Sequence, residues 1–132
     1  MTLTRTNNIF TFGSNEAGIH GAGAALYALR YHGAIYGRGV GLQGNAYGIP
    51  TKDHQIRTLP LEDIQKYVDQ FLQFARDHSE LMFKVTPIGT GLAGYSREEI
   101  APMFRNSPDN VSFCDEHGQD WIEKLNQRNQ KE

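Results

Sequence analysis

Two kinds of hydrophobic spacing alternate along this chain, and that alternation restricts its fold more than any other feature. "NNIFTF" (residues 7–12) is a short apolar run of strand type, closed by Gly13. "GAGAALYALRYH" follows; its alanines and leucines predict a helix beginning near Gly21. "GAIYGRGVGLQGNAYGIP" is punctuated by glycine and reads as mostly loop, with a short strand over residues 46–50. Ile64, Tyr67, Val68, Phe71, Leu72 and Ala75 then recur at helical spacing, with Pro60, Glu62 and Asp63 marking the start and His78 the end. "LMFKVTPIG" reads as a central strand buried on both faces. Ser96 and Glu99 form the S-x-x-E capping pattern, which predicts a short helix. "NVSFCD" is a last strand, and "GQDWIEKLNQRN" a last helix with Trp121, Ile122 and Leu125 facing inward, before a frayed tail.

The order β-α-β-α-β-α-β-α predicts an α/β fold: a mixed, mostly parallel sheet with helices on both faces, in three α/β/α layers. A length of 132 residues fits one domain over residues 1–132. Ligands of such folds bind beyond the carboxyl ends of the strands. The formal charge of −2 argues against a broad nucleic-acid-binding surface, though not against a small nucleotide. Cys114 is the only cysteine, so no internal disulfide can form, which fits a reducing, cytoplasmic setting. No signal-peptide pattern and no membrane-length apolar run is present.

Glycine is concentrated in residues 13–48 and 89–94, in both cases following predicted strands. "GIHGAGAA" and "GTGLAGY" therefore read as two walls of one cleft, where bare backbone N–H groups can approach a diphosphate. The competing reading is that these glycines serve only tight turns and close packing. Two familiar phosphate motifs do not apply. "GAGAAL" places Leu26 where a dinucleotide fingerprint needs a third glycine or alanine, and no acidic residue follows at the ribose position. No G-x-x-x-x-G-K-[ST] occurs. The five histidines lack metal-ligand spacing, and no G-x-S-x-G elbow is present; Cys114 on its strand reads as core.

Four segments in order resemble the macro domain, a module that binds ADP-ribose and its derivatives: "FTFGSN", "HGAGAALYAL", "YGIPTKD" and "VTPIGTGLAGY". They span residues 9–104, and "GAGAA", "PTK" and "PIGTGL" are most similar to the branch containing terminal ADP-ribose protein glycohydrolase. The resemblance implies a macro-domain-like fold that takes ADP-ribose or a related nucleotide diphosphate, free or carried on ADP-ribosylated protein or nucleic acid; no cofactor is expected, and the residue spacing and apolar run lengths above give no expectation of a metal or a membrane partner. It implies two alternatives: hydrolysis of an ADP-ribosyl linkage, or non-catalytic reading of a nucleotide-derived metabolite.

Residue by residue, the resemblance makes Lys52 the nucleophile or electrostatic anchor at the anomeric carbon, a role that requires a neutral amine. Asn15 would orient the ribose, and Asp53 would either supply a proton or hold Lys52 charged. Gly13, Ser14, Gly21, Ala22 and Gly23 would form one wall. Gly89, Thr90, Gly91, Leu92, Ala93 and Gly94 would wrap the diphosphate by backbone amides. Tyr95 stacks on the distal ribose or anchors its loop; His20 is a phosphate donor or proton shuttle, or simply a loop histidine. The chain departs from the pattern twice. No acid stands where the adenine amine is read, which leaves the base open. Ala93 occupies the place of the branch's catalytic aspartate, which leaves Asp53, Glu16 or a substrate phosphate as proton donor.

Overall fold

The computed structural model of the chain describes residues 6–122. Its strands are β1 (Asn8–Asn15), β2 (Gly41–Gln43), β3 (Ala46–Lys52), β4 (Met82–Val85) and β5 (Val111–Phe113). Its helices are α1 (Gly23–Tyr31), α2 (Leu61–Asp77) and α3 (Arg97–Ile100), the last continued by a 3₁₀ turn over Ala101–Phe104. The five strands form one sheet in the order β2-β3-β1-β4-β5. Every neighbouring pair is parallel except β2 with β3, so the fold is mixed α/β with a mostly parallel sheet.

Alternation along β1 feeds two separate cores. Ile9 joins Tyr47, Ile49, Phe83 and the buried stripe of α2, made by Ile64, Val68, Phe71, Leu72 and Ala75. Phe12 joins Ala25, Ala28, Ala34 and Ala46, where alanine lets α1 lie close to the sheet. The helical period of residues 60–78 thus predicted α2 well: Pro60 and His78 are its caps.

Four expectations need correction. β1 does not stop at Phe12 but runs on to Asn15, with Gly13 paired to Ile49. Glycine there serves close packing and not a turn: a Cβ would lie 3.3 Å from the Ile88 Cβ, a tight approach. The glycine-rich stretch holds a second strand besides the one expected over 46–50: Gly44 at φ +58° and Asn45 connect β2 to β3 as a hairpin. β4 is not buried on both faces. Phe83 and Val85 are buried, but Met82 and Lys84 on the other face are exposed. Finally, the helix expected over 118–129 is absent at residues 118–122, although Trp121 and Ile122 are buried as expected; residues 123–129, Leu125 among them, and the tail lie outside the described residues. The capping box at Ser96 and Glu99 is formed in both directions.

Because β1, β3, β4 and β5 are parallel, their carboxyl ends share one edge of the sheet. The segments that follow them, beginning at Glu16, Asp53, Thr86 and Cys114, emerge together there.

Candidate functional site

A cavity of about 790 Å³ opens on that edge. Twelve of the expected site residues line it: Gly13, Ser14, Asn15, Gly21, Ala22, Gly23, Lys52, Gly89, Thr90, Gly91, Leu92 and Ala93. His20, Asp53, Gly94 and Tyr95 do not.

The two glycine loops face the cavity with unused donors. The first turn of α1 has no capping side chain. Across from it, the N–H groups of Gly89, Thr90, Gly91, Leu92 and Ala93 donate to nothing among the described residues. Five successive free amides beside a helix N-terminus make a concavity suited to an anion. The loop itself is well anchored. Tyr95 N–H donates to the Gly89 carbonyl (2.9 Å) and Gly94 N–H to that of Gly91 (3.0 Å). Thr90 Oγ1 donates to the Pro87 carbonyl (2.7 Å), and Thr58 Oγ1 donates to that of Ala93 (3.0 Å).

The glycines divide by what stands opposite them. A Cβ on Gly39 would sit 2.0 Å from the Asn15 carbonyl oxygen, and one on Gly18 would sit 2.3 Å from the Gly37 backbone. Those glycines are required by packing. Gly23 and Gly94 adopt positive φ and are required by conformation. Gly21 and Gly91 fit neither case. Their φ is ordinary; a Cβ on Gly91 would meet nothing within 4 Å, and one on Gly21 only the Ile19 Cγ2 at 3.8 Å. Both line the cavity, one in each loop.

Several side chains expected to touch a ligand are already committed. The Asn15 amide donates to the Ile19 carbonyl (2.8 Å) and accepts from the Ile19 N–H (2.9 Å), so it chiefly shapes the 15–19 turn. Ser14 Oγ donates to the Gly39 carbonyl. His20 is a core residue, 1% exposed and edge-on to Phe12. Its Nε2 faces the Arg38 carbonyl (3.0 Å) and Gln43 Oε1 (3.2 Å), two acceptors that place the proton on Nε2; buried Nδ1 has no partner among the described residues. Tyr95 packs against the larger core and donates to the Leu59 carbonyl (2.7 Å), which makes it the anchor of its loop.

Lys52 stands at the end of β3, lining the cavity, with no carboxylate within ion-pair distance among the described residues. Asp53 turns away. Its carboxylate accepts from the N–H groups of Gln55 (2.9 Å) and Arg57 (3.0 Å) and from Arg57 Nε (3.3 Å). The Arg57 backbone N–H above all holds its carboxyl below the ordinary range, which suits it poorly to give up a proton near neutrality. Glu16 is taken up by Tyr67, whose hydroxyl donates to it and is pushed up to about 12, first by that bond.

The sequence reading missed the rest of the lining. Phe10, Tyr27 and Lys84 lie at one end, Ile56 on another side near Ile19 of the expected first wall, and Cys114, Asp115 and Glu116 follow β5. Period-two alternation in "LMFKV" was the available signal for Lys84, since it places Met82 and Lys84 on the face opposite Phe83 and Val85. Cys114, expected in the core, is only half-buried. Asp115 is held by Arg97 Nη1 (3.2 Å) and by the N–H groups of His117 and Gln119. Among the described residues no three His, Cys, Asp or Glu side chains converge on a metal-sized site. No helix described is long and apolar enough to cross a membrane.

No protein-family model, no curated protein and no solved structure matches the chain.

Proposed function

We propose that this chain binds a nucleoside diphosphate of the ADP-ribose class in the cavity at the carboxyl edge of its sheet. The observation that carries this reading is the pair Gly21 and Gly91. Neither glycine is needed by its backbone conformation or by a protein neighbour, and each leaves open the space above a loop whose amides are unpaired. A diphosphate lying between the loops supplies acceptors for those amides, and Lys52 supplies a positive charge beside them. The reading carries with it a macro-domain-like, three-layer arrangement, supported by the four motif segments and by the two cores fed from alternate residues of β1.

Of the two activities, a non-catalytic reader is favoured. Hydrolysis needs an acid or base within reach of the scissile bond. Ala93 offers none, the Asp53 carboxylate is held by Arg57, Glu16 is held by Tyr67, and Asp115 and Glu116, which also line the cavity, are both paired with Arg97. The natural partners on this reading are free ADP-ribose-like metabolites or proteins and nucleic acids that carry them.

Calorimetric titration with ADP, ADP-ribose and a UDP-sugar tests the binding. Saturable binding of at least one, weakened tenfold or more by Lys52→Ala, is expected. No heat and no rise in melting temperature at millimolar ligand would sink the proposal. Single-turnover assay of an ADP-ribosylated peptide should return unchanged substrate; release of ADP-ribose that is lost in Lys52→Ala would establish an enzyme instead.

A further inference from the structure

The cavity has two apolar ends, and the loop that carries the free amides, residues 89–93, reaches the second of them through Leu92. At one end Phe10 and Tyr27 present rings with centroids 5.4 Å apart, and Phe10 is backed by the nearly parallel, stacked ring of His32 at 4.5 Å. Lys84, the register partner of Phe10, lines the same end with no carboxylate in ion-pair reach among the described residues. At the other end stand Ile19, Ile56 and Leu92, which are 40%, 39% and 81% exposed and all line the cavity. Lys52, the register partner of Asn15, lies beside them, because Asn15 holds the backbone of Ile19. Phe10 and Asn15 are five residues apart on β1. At roughly 3.3 Å per residue, the two ends are separated by about 17 Å along the strand.

The second end is built at a backbone cost. Ile56 adopts φ +63°, in the left-handed region that a β-branched residue avoids. The Asp53 carboxylate enforces this by accepting from the N–H groups on either side of it, at Gln55 and Arg57. The outcome is an aliphatic side chain held at the cavity mouth. A terminal sugar is a poor match for such a surface. Its hydroxyls need hydrogen-bond partners, and this end offers three aliphatic groups, one lysine and an Asn15 amide already bonded on both sides. A flat, largely apolar ring fits it.

We infer that the ligand is a dinucleoside diphosphate: one base against Phe10 and Tyr27, the diphosphate across the amides of residues 89–93, and a second ring against Ile19, Ile56 and Leu92. The inference rests on the reading of the cavity as a nucleoside diphosphate site and names its ligand more narrowly.

The test is calorimetry with the matched pairs ADP and diadenosine diphosphate, and UDP and diuridine diphosphate, with ADP-ribose alongside. In at least one pair the dinucleotide should bind ten times or more tighter than the mononucleotide and than ADP-ribose. Ile56→Gly removes the side chain while relaxing the strained backbone, so the fold is kept. It should abolish most of that tenfold advantage. Mononucleotide binding with no dinucleotide advantage would overturn this inference and leave the proposed function standing. So would an advantage untouched by Ile56→Gly. Failure of every compound to bind would overturn both together.

Discussion

A glycine in a sequence does not say whether it serves the backbone, a neighbour or a ligand; the atom opposite decides. Gly39 and Gly91 make the contrast measurable. Gly39→Ala places a methyl 2.0 Å from the Asn15 carbonyl, and two strand-end segments must move apart. It is expected to unfold the protein or destabilise it by more than about 3 kcal/mol, read by urea denaturation. A Cβ at residue 91 meets no protein atom within 4 Å, so Gly91→Ala should leave stability within about 0.5 kcal/mol, while ADP affinity falls at least tenfold because the methyl occupies ligand space. Equal affinity in that variant would remove the main support for the site. Tyr95 makes a similar distinction. As a loop anchor, Tyr95→Phe should cost about 1 kcal/mol through the lost bond to Leu59 and leave affinity unchanged; a stacking role for its ring predicts no stability change. The residue types at these positions were legible in the sequence. The commitments of Asn15, Asp53 and Glu16 were not, because the first two depend on loop conformations four residues long and the third on a contact with Tyr67 of α2, 51 residues away.

At the scale of elements, legibility followed the length of the periodic signal. α2 repeats its apolar stripe over 17 residues, and the structure places its ends where Pro60 and His78 suggest. β2 has three residues and no repeat to read; only the Gly44–Asn45 turn marks it. β4 was misjudged because a short apolar run does not distinguish a doubly covered strand from a half-covered one. That error hid Lys84, and with it one end of the cavity. The loop after β4 is defined by bonds it does not make. In the free protein the amides of residues 89–93 should exchange hydrogen rapidly despite the anchors around them, and addition of ADP should slow them selectively. Rapid exchange that ADP leaves unaltered would place the ligand elsewhere.

At the scale of the molecule, five perturbed groups set an expected stability profile with pH. His32 is shifted below 6.5 by burial. Asp53 and Asp115 are shifted below 3.8, chiefly by the backbone N–H groups of Arg57 and Gln119 respectively. For a group lowered on folding, the unfolded chain takes up its proton first, so stability is lost as pH falls. Tyr47 and Tyr67 are raised from 10.0 to about 12, Tyr47 by burial and Tyr67 by its bond to Glu16. Their unfolded forms ionise first, so stability is lost as pH rises from 10 toward 12. A plateau between about pH 7 and pH 10 is expected, with a shallow decline toward pH 5 and a steeper one below pH 4. Trp121, the only tryptophan, is buried against Phe104 and Phe113 near the Asp115 turn and reports the acid limb by fluorescence. Asp115→Asn should remove part of that limb; an unchanged acid transition would exclude Asp115 as its source.

The sequence by itself determined the α/β alternation, the amphipathic helix of residues 60–78, the capping box at Ser96, and the presence of glycine loops after strands. Each of these is set by neighbours within a few residues, where local sterics and period act directly. Only the tertiary structure decided that the two loops face one cavity, that Gly21 and Gly91 stand open within it, and that Phe10, Lys84 and Ile56 belong to its walls. The reason is parallel pairing. It brings segments some 70 residues apart onto one edge of the sheet, and no local pattern records which atoms then meet across that edge.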